Sequence, residues 1–211
     1  MNTAKTTLGV MADFDRMIEE APDEPQPIIF AQPAGRDIEY GTGMPKRYRE
    51  PWERPSDAQW QGYFRRVMDK VETGGIVALI GNRGTGKTRI AAEAVRNYSP
   101  DKSTYTTAMG LFLRIRASFG KNNGETEEKI VKEMSQSTLL VIDEVQERGN
   151  TAWEDRLLTH ILDKRYGAMT PTIIIANLNA SELTECLGAS ISSRINETGG
   201  IVTITGKSHR E

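Results

Sequence analysis

The clearest chemical signal in the sequence is a glycine-rich stretch that ends in a lysine and a threonine. Residues 81–88 read G-N-R-G-T-G-K-T, which fits the pattern G-x-x-x-x-G-K-[ST] between a predicted strand and a predicted helix. Glycines let successive backbone N–H groups point at phosphate oxygens, and the following helix adds the positive end of its dipole. Lys87 is expected to face the β- and γ-phosphates of a nucleotide, and the Thr88 hydroxyl is expected to coordinate Mg²⁺. The predicted nucleotide-binding residues here are Gly81, Asn82, Arg83, Gly84, Thr85, Gly86, Lys87, Thr88 and Arg89.

A pair of acidic residues follows a second strongly apolar run. Residues 139–144 read L-L-V-I-D-E. Asp143 is expected to hold the magnesium ion through water, and Glu144 to polarise the water that attacks the γ-phosphate. A glutamate beside the magnesium aspartate favours an ATP hydrolase over a P-loop kinase or a small GTPase. The alternative for either acid is that it only ends the strand.

A polar residue also follows a third apolar run, T-I-I-I-A at 172–176. Ligands bind at the carboxyl edge of parallel strands, so Asn177 could orient the same attacking water. The alternative is that Asn177 simply caps the strand.

Apolar patterning assigns the other elements and predicts an α/β fold. Continuous apolar runs predict buried strands at 76–80, 139–142, 172–176 and 201–204, with a weaker strand at 103–107. Apolar residues at three- and four-residue steps predict helices at 87–98, 108–119, 126–136, 180–187 and 189–196, and around 60–71 and 153–166. Buried strands that alternate with helices imply a parallel sheet with right-handed crossovers.

Residues 1–55 are predicted to form an extended arm ahead of a regular domain at 56–211. The arm holds seven of the nine prolines, and proline fixes φ and removes a backbone donor, which excludes a continuous helix or a central strand. An apolar stripe near the start of the arm suits a helix-in-groove contact with a partner. An equal alternative is that the stripe docks on its own domain or stays disordered. The stripe residues are Leu8, Met11, Phe14 and Ile18.

The composition excludes several classes of protein. The 211 residues carry 27 basic and 29 acidic side chains, which excludes a histone-like basic protein and a highly charged disordered chain. The single cysteine, Cys186, excludes an intrachain disulfide and a cysteine-based zinc site. No apolar run approaches the roughly 20 residues of a bilayer span, and acids interrupt the N-terminal stretch where a secretory signal would be apolar. We therefore expect a cytoplasmic protein with no membrane partner.

The order of the motifs resembles AAA+ ATPases of the DnaC/IstB type, which include bacterial and phage helicase loaders and transposition helper ATPases. The resemblance covers roughly residues 56–211 and rests on the glycine-rich loop, L-V-I-D-E, T-I-I-I-A-N, S-S-R-I and a closing G-K-S-H-R. It implies a P-loop NTPase fold, a three-layer sandwich around a five-stranded parallel sheet. The chain departs from the family because it lacks cysteines for an N-terminal zinc module. Only 17 residues follow Arg194, so no full C-terminal helical lid is expected.

The resemblance also implies roles for individual residues. Asn177 would be the sensor 1 residue, and Arg194 would be an arginine finger that reaches the γ-phosphate of a neighbouring subunit. Arg210 would read the nucleotide state in the manner of sensor 2. A finger supplied in trans stabilises transition-state charge only on assembly, so self-association through the ATP site is implied. The implied catalytic residues are Glu144, Lys87, Asn177 and Arg194, and the implied metal ligands are Thr88 and Asp143. For Arg194 the alternatives are a solvated arginine or an intrachain salt bridge.

ATP and Mg²⁺ are the implied cofactors, and a replicative helicase is the implied partner. ATP binding would assemble subunits around single-stranded DNA or against the helicase, and hydrolysis would release them. The helices at 108–136 are the expected DNA contact, although their charge could equally be a solvated face. The residues in question are Phe112, Arg114, Arg116, Phe119, Lys121, Lys129 and Lys132. The alternatives to helicase loading are a transposition helper acting with a transposase on double-stranded DNA, a nucleotide-gated adaptor with little turnover, and a small-molecule kinase.

Overall fold

The computed structural model describes residues 43–50, 53–119 and 125–206. The apolar stripe at 8–18, Lys121 and Arg210 lie outside these ranges. In chain order the elements are α1 (Lys46–Arg49), α2 (Ala58–Glu72), β1 (Ile76–Ile80), α3 (Lys87–Tyr98), β2 (Thr104–Thr107), α4 (Ala108–Ser118), α5 (Glu127–Gln136), β3 (Leu140–Asp143), a 3₁₀ turn (Val145–Glu147), α6 (Ala152–Gly167), β4 (Thr172–Ala176), α7 (Ala180–Thr198) and β5 (Gly200–Thr203).

The five strands form one parallel sheet in the order β2-β3-β4-β1-β5. Every residue of β1 and β4 is buried, as expected for strands covered on both faces. This confirms the predicted five-stranded parallel sheet. The register places Ile80 beside Ala176, and Asp143 beside Thr107. The turns after β1, β3 and β4 therefore meet at one carboxyl edge.

Helices cover both faces of the sheet. On one face, α4 to α7 share a continuous apolar core with inward residues of β1, β3 and β4 such as Ala78, Ile142 and Ile174. On the other face, α2 packs on β1 and β5, and α3 packs on β4. The three-layer arrangement is confirmed. None of the helices in the described ranges is long and apolar enough to cross a membrane.

Local sequence signals explain where several helices begin. The Asp57 side chain accepts a hydrogen bond from the Trp60 backbone N–H at the start of α2. Thr151 and Glu154 form a capping box that starts α6. The two helices predicted at 180–187 and 189–196 are the two halves of α7, because Gly188 between them has a non-helical backbone with φ of +78°.

A buried arginine fastens the amino ends of two strands to the end of a helix. Arg165 of α6 is 0 % exposed. Its guanidinium donates to the carbonyl oxygens of Met134 (2.9 Å), Ser137 (2.7 Å) and Pro171 (2.6 Å), and to Thr172 Oγ1 (2.8 Å). Burial lowers the pKa of Arg165 to about 10. Because its N–H groups are bonded to carbonyl oxygens, the buried charge is compensated by the backbone. The same bonds hold together the edge of the sheet opposite the phosphate loop.

Candidate functional site

The glycine-rich loop joins the end of β1 to the start of α3. Gly84 and Gly86 have φ of +84° and +90°, a backbone that glycine adopts without a steric cost. Lys87 is the first residue of α3, and its ammonium donates to the carbonyl oxygens of Gly81 (2.8 Å) and Asn82 (2.7 Å). The loop thus places a cation at the amino end of a helix, where the backbone dipole also favours an anion.

The first glycine of the loop is required by its neighbours. Gly81 has φ of +133°, and a Cβ built on it would stand 2.2 Å from the carbonyl oxygen of Ile204. Just beyond β5, the Ile204 N–H donates to the Ile80 carbonyl (2.8 Å). The loop therefore leaves the sheet in close contact with the end of the edge strand, which leaves no room for a side chain.

A half-buried threonine forms a cluster with a buried aspartate and a buried tyrosine beside the loop. Thr88 Oγ1 and the Tyr105 hydroxyl both donate to Asp143 Oδ2, each over 2.8 Å. The Glu144 backbone N–H donates to the other carboxylate oxygen, Asp143 Oδ1, over 2.7 Å. Burial, together with the adjacent Asp143 carboxylate, raises the pKa of Tyr105 well above its ordinary value. The cluster gathers oxygen donors of the kind that Mg²⁺ prefers.

Glu144 and Asn177 occupy the turns that follow β3 and β4. Glu144 is exposed and has φ of +53°, a strained backbone for a residue with a side chain. The 3₁₀ turn that follows brings the Gln146 side-chain oxygen to 3.2 Å from the Asn177 backbone N–H, so the two turns are bonded together.

The predicted phosphate loop and acids surround one cavity of about 550 Å³. From the loop and α3, its walls include Arg83, Gly84, Gly86, Lys87, Thr88 and Arg89. From the strand ends, they include Asp143, Glu144, Ile175 and Asn177. Gly81, Asn82 and Thr85 are not among the lining residues. Instead, the Gly81 and Asn82 carbonyl oxygens accept hydrogen bonds from Lys87, and the Thr85 hydroxyl donates to the Asn82 carbonyl (2.9 Å). A cavity of this size can hold a nucleotide.

Part of the cavity wall comes from a segment that the sequence assigned to the arm. We call residues 43–50 and 53–55 the strap. Its Arg47, Tyr48, Glu53 and Pro55 line the cavity together with Trp60 of α2. Sequence reasoning missed these residues as contributors to the site. The signal available was weak, since only the two aromatic rings would suggest a surface for a flat nucleobase.

Contacts with α3 hold the strap against the cavity. Arg54 bonds to Glu93 of α3 over 2.9 Å, and this pair is almost completely buried. Arg96 donates to the Glu50 carbonyl over 3.1 Å. Arg89 donates to the Arg47 carbonyl (3.3 Å), its guanidinium lies 5.0 Å from the centre of the Tyr48 ring, and burial lowers its pKa. Arg89 therefore contacts the strap as well as lining the cavity.

Arg194 lies on the second half of α7 and does not line the cavity. Its guanidinium forms an ion pair with Asp163 (3.0 Å), donates to the Ser190 carbonyl (2.8 Å), and lies 5.5 Å from the centre of the Tyr166 ring. The intrachain salt bridge that was the alternative interpretation is present. A role toward a second subunit stays a prediction, as does the role of Arg210, which lies outside the described residues.

The helices expected to contact DNA offer fewer free basic groups than the sequence indicated. Arg114 is bonded to Glu125 and Glu133, both at 2.6 Å, and Arg116 to Glu154 at 2.8 Å. These pairs already neutralise the two arginines. Among the aromatic residues, Phe112 is 1 % exposed and packs in the core, whereas Phe119 is 55 % exposed. Lys129 and Lys132 are exposed on α5.

The sequence is similar to a family of ATP-binding proteins and to individual curated proteins. Residues 65–211, more than half of the chain, match the family described as IstB-like ATP binding protein. The replicative helicase loader DnaC of Escherichia coli K12 is 29% identical over 125 residues, which are 58% of this chain and 51% of DnaC. The uncharacterized protein YdaV of the same strain is 30% identical over 139 residues, 64% of this chain and 55% of YdaV. The chain spans about half the length of these curated relatives.

The fold is also shared with solved structures. The crystal structure of a DnaC helicase loader superposes with a TM-score of 0.62 at 22% identity, covering 76% of this chain and 100% of that one. At this level of identity the likeness concerns the fold, and the fold is that of an AAA+ P-loop domain.

Proposed function

Because the chain belongs to the IstB-like ATP binding protein family, we propose that it is a magnesium-dependent ATPase that loads or remodels a replicative helicase on single-stranded DNA. The observation that carries the ATPase part is the cluster at the cavity: the Thr88 hydroxyl lies 2.8 Å from Asp143, with Lys87 on the same loop and Glu144 directly after the aspartate. The DnaC relatives supply the helicase-loading part. The family match over residues 65–211 includes the glycine-rich loop, Asp143, Glu144 and Asn177.

The residues fit a magnesium nucleotide. The backbone of the glycine-rich loop and the Lys87 ammonium would bind the β- and γ-phosphates. Thr88 and Asp143 would hold the metal, directly through the hydroxyl and through water at the carboxylate. When bound, Mg²⁺ neutralises charge that develops on the phosphate oxygens. Tyr48 and Trp60 also line the cavity, and their aromatic rings would pack against the nucleobase.

Hydrolysis needs a water molecule held in line with the γ-phosphate. The Glu144 carboxylate would accept a proton from this water, and the Asn177 amide would orient it. Both residues line the cavity near Lys87, and the bond from Asn177 N–H to Gln146 fixes the distance between their two turns. The strained backbone at Glu144 is consistent with a residue held for a reaction rather than for packing.

Full activity would require a second copy of the chain. Arg194 of one subunit would approach the γ-phosphate of its neighbour and stabilise charge in the transition state. To do so, the guanidinium would have to leave Asp163, with which it forms an ion pair within its own chain. This couples turnover to assembly on a helicase or on DNA. Arg210 would report the nucleotide state, and Phe119 with the lysines of α5 would contact the DNA strand.

Two other functions remain as alternatives. A transposition helper of the IstB type would use the same ATP site with a transposase on double-stranded DNA, and the matched family is described as IstB-like. A nucleotide-gated adaptor would bind ATP and its partner with negligible turnover.

The test is phosphate release measured with the full chain, alone and with single-stranded DNA and a replicative helicase. We expect stimulation by helicase and DNA, and no activity for Lys87→Ala. Mixing Arg194→Ala with Lys87→Ala should restore part of the activity, because the intact site of an Arg194→Ala subunit can meet the intact finger of a Lys87→Ala subunit. Binding to the helicase with no phosphate release under any condition would favour the adaptor. Stimulation by a transposase and double-stranded DNA instead would favour the transposition helper.

A further inference from the structure

Tyr105 stands outside both nucleotide motifs but is bonded to the metal-site aspartate. It lies on β2, two residues before Thr107, which is the register partner of Asp143 on β3. Side chains two residues apart share a face of a strand, so the Tyr105 ring lies on the Asp143 face and extends along the strand toward it. The residue is 9 % exposed, and its hydroxyl donates to Asp143 Oδ2 over 2.8 Å.

The hydrogen bonds on Asp143 differ in what happens to them when a metal binds. Thr88 Oγ1 shares Oδ2 with Tyr105 and is itself the expected metal ligand, so its bond to the carboxylate must rearrange. The bonds from Tyr105 and from the Glu144 N–H involve no expected metal ligand as donor. These two bonds can fix the carboxylate plane from opposite oxygens both before and after the metal arrives.

The strand that carries Tyr105 is itself held in place. β2 is an edge strand of the sheet, and the strap crosses it so closely that a Cβ on Gly43 would stand 2.0 Å from the Tyr105 carbonyl oxygen. The register with β3 fixes the other side. The backbone of Tyr105 is therefore fixed by neighbours on both sides, and this fixes the position of its hydroxyl relative to Asp143.

We propose that Tyr105 is a positioning residue for Asp143, and that its hydroxyl sets the magnesium concentration at which the protein binds nucleotide tightly. This inference rests on the proposed function, since it assumes a magnesium nucleotide in the cavity. It does not assign Tyr105 any contact with the nucleotide itself.

The test compares Tyr105→Phe with the unchanged protein in binding of a fluorescent ADP, the methylanthraniloyl derivative. Binding is measured in EDTA and again across a MgCl₂ titration. We expect unchanged affinity in EDTA, and a half-saturating Mg²⁺ concentration raised by about 10-fold or more, the usual effect of removing an outer partner of a metal ligand. Tyr63→Phe is the matched control, because that tyrosine is also buried, at 8 % exposed, bonds to Thr205 (2.9 Å) and does not line the cavity.

The outcomes distinguish a failure of the Tyr105 inference from a failure of the proposed function. If the unchanged protein shows no magnesium-dependent nucleotide binding, the proposed function fails, and the inference fails with it. If the unchanged protein responds to magnesium and Tyr105→Phe responds at the same or a lower concentration, the inference alone is wrong. Equal weakening of Tyr105→Phe in EDTA and in magnesium would mark a general structural role and would also overturn it. Thermal unfolding of each variant checks that the comparison is between folded proteins.

Discussion

The buried ion pair between the strap and α3 allows a quantitative test of how the cavity wall is held. The side chains of Arg54 and Glu93 are 11 % and 1 % exposed, and their closest atoms are 2.9 Å apart. At an effective dielectric constant of about 20, unit charges at that distance attract by about 6 kcal/mol, before the cost of removing both from water. Arg96 lies farther from Glu93, at 3.8 Å, and would retain part of the compensation.

We expect Arg54→Met to lower the free energy of unfolding by about 2–4 kcal/mol, because it leaves the Glu93 carboxylate buried without its closest cation. For a chain of this size, that corresponds to a fall in Tm of about 5–15 °C. The assay is a double-mutant cycle in urea with Glu93→Gln as the second change. In the Glu93→Gln background, Arg54→Met should cost at least about 1 kcal/mol less, since no buried charge is then left uncompensated.

A matched control comes from an exposed pair of similar length. Arg83 and Glu147 lie 2.8 Å apart with side chains that are 71 % and 45 % exposed. Glu147→Gln should change the free energy of unfolding by less than about 1 kcal/mol. Equal costs for Arg54→Met in the two backgrounds, or a cost no larger than that of the control, would refute the reasoning that burial of this pair holds the strap.

Further variants test the loop and the proposed catalytic groups. Glu144→Gln should leave ATP binding intact and lower turnover by about 10²–10⁴-fold, as measured by phosphate release; unchanged turnover would remove Glu144 from the reaction. Arg194→Ala should lower turnover in the assembled protein while the isolated subunit binds ATP as before, and weaker binding by the isolated subunit would contradict a role in trans. Gly81→Ala should lower Tm and weaken nucleotide binding, because its Cβ would overlap the carbonyl of Ile204. At Gly62 on α2 the space around a Cβ is open, so Gly62→Ala should instead raise the free energy of unfolding in urea by about 0.5–1 kcal/mol. If Gly62→Ala were destabilising and Gly81→Ala were not, the fold geometry would be contradicted.

The parts of the fold that were predictable have a strong local pattern. The runs at 76–80 and 172–176 are buried strands with the predicted bounds, and the helix at 87–98 is α3. Other strand ends differ by one residue: β3 ends at Asp143 and β5 begins at Gly200, because strand bounds depend on pairing with neighbours as well as on apolar character. Most of the predicted loop residues and all the predicted strand-end residues line a common cavity, because carboxyl ends of parallel strands share one edge.

The contacts of the strap could not be inferred in the same way. Arg54 and Glu93 are separated by 39 positions, and neither belongs to a periodic pattern that would pair them. Prolines in this segment predict an extended backbone but do not specify what it packs against. Tyr105 was also missed, because a tyrosine in a short strand usually indicates packing and its bond to Asp143 depends on the register of two strands. The domain boundary at 55/56 stays a prediction.

The helix α3 contributes to both the phosphate loop and the contact with the strap. Its first residue is Lys87 of the phosphate loop, and about two turns later Glu93 forms the buried ion pair with Arg54 of the strap. A helix of 12 residues is too short to bend much, so a displacement at its amino end is transmitted along its length. Either the strap travels with the helix or the buried ion pair breaks. A ligand that displaces the strap would therefore change the affinity of the protein for phosphate. Thermodynamic reciprocity then requires that phosphate change the affinity of the protein for that ligand by the same factor.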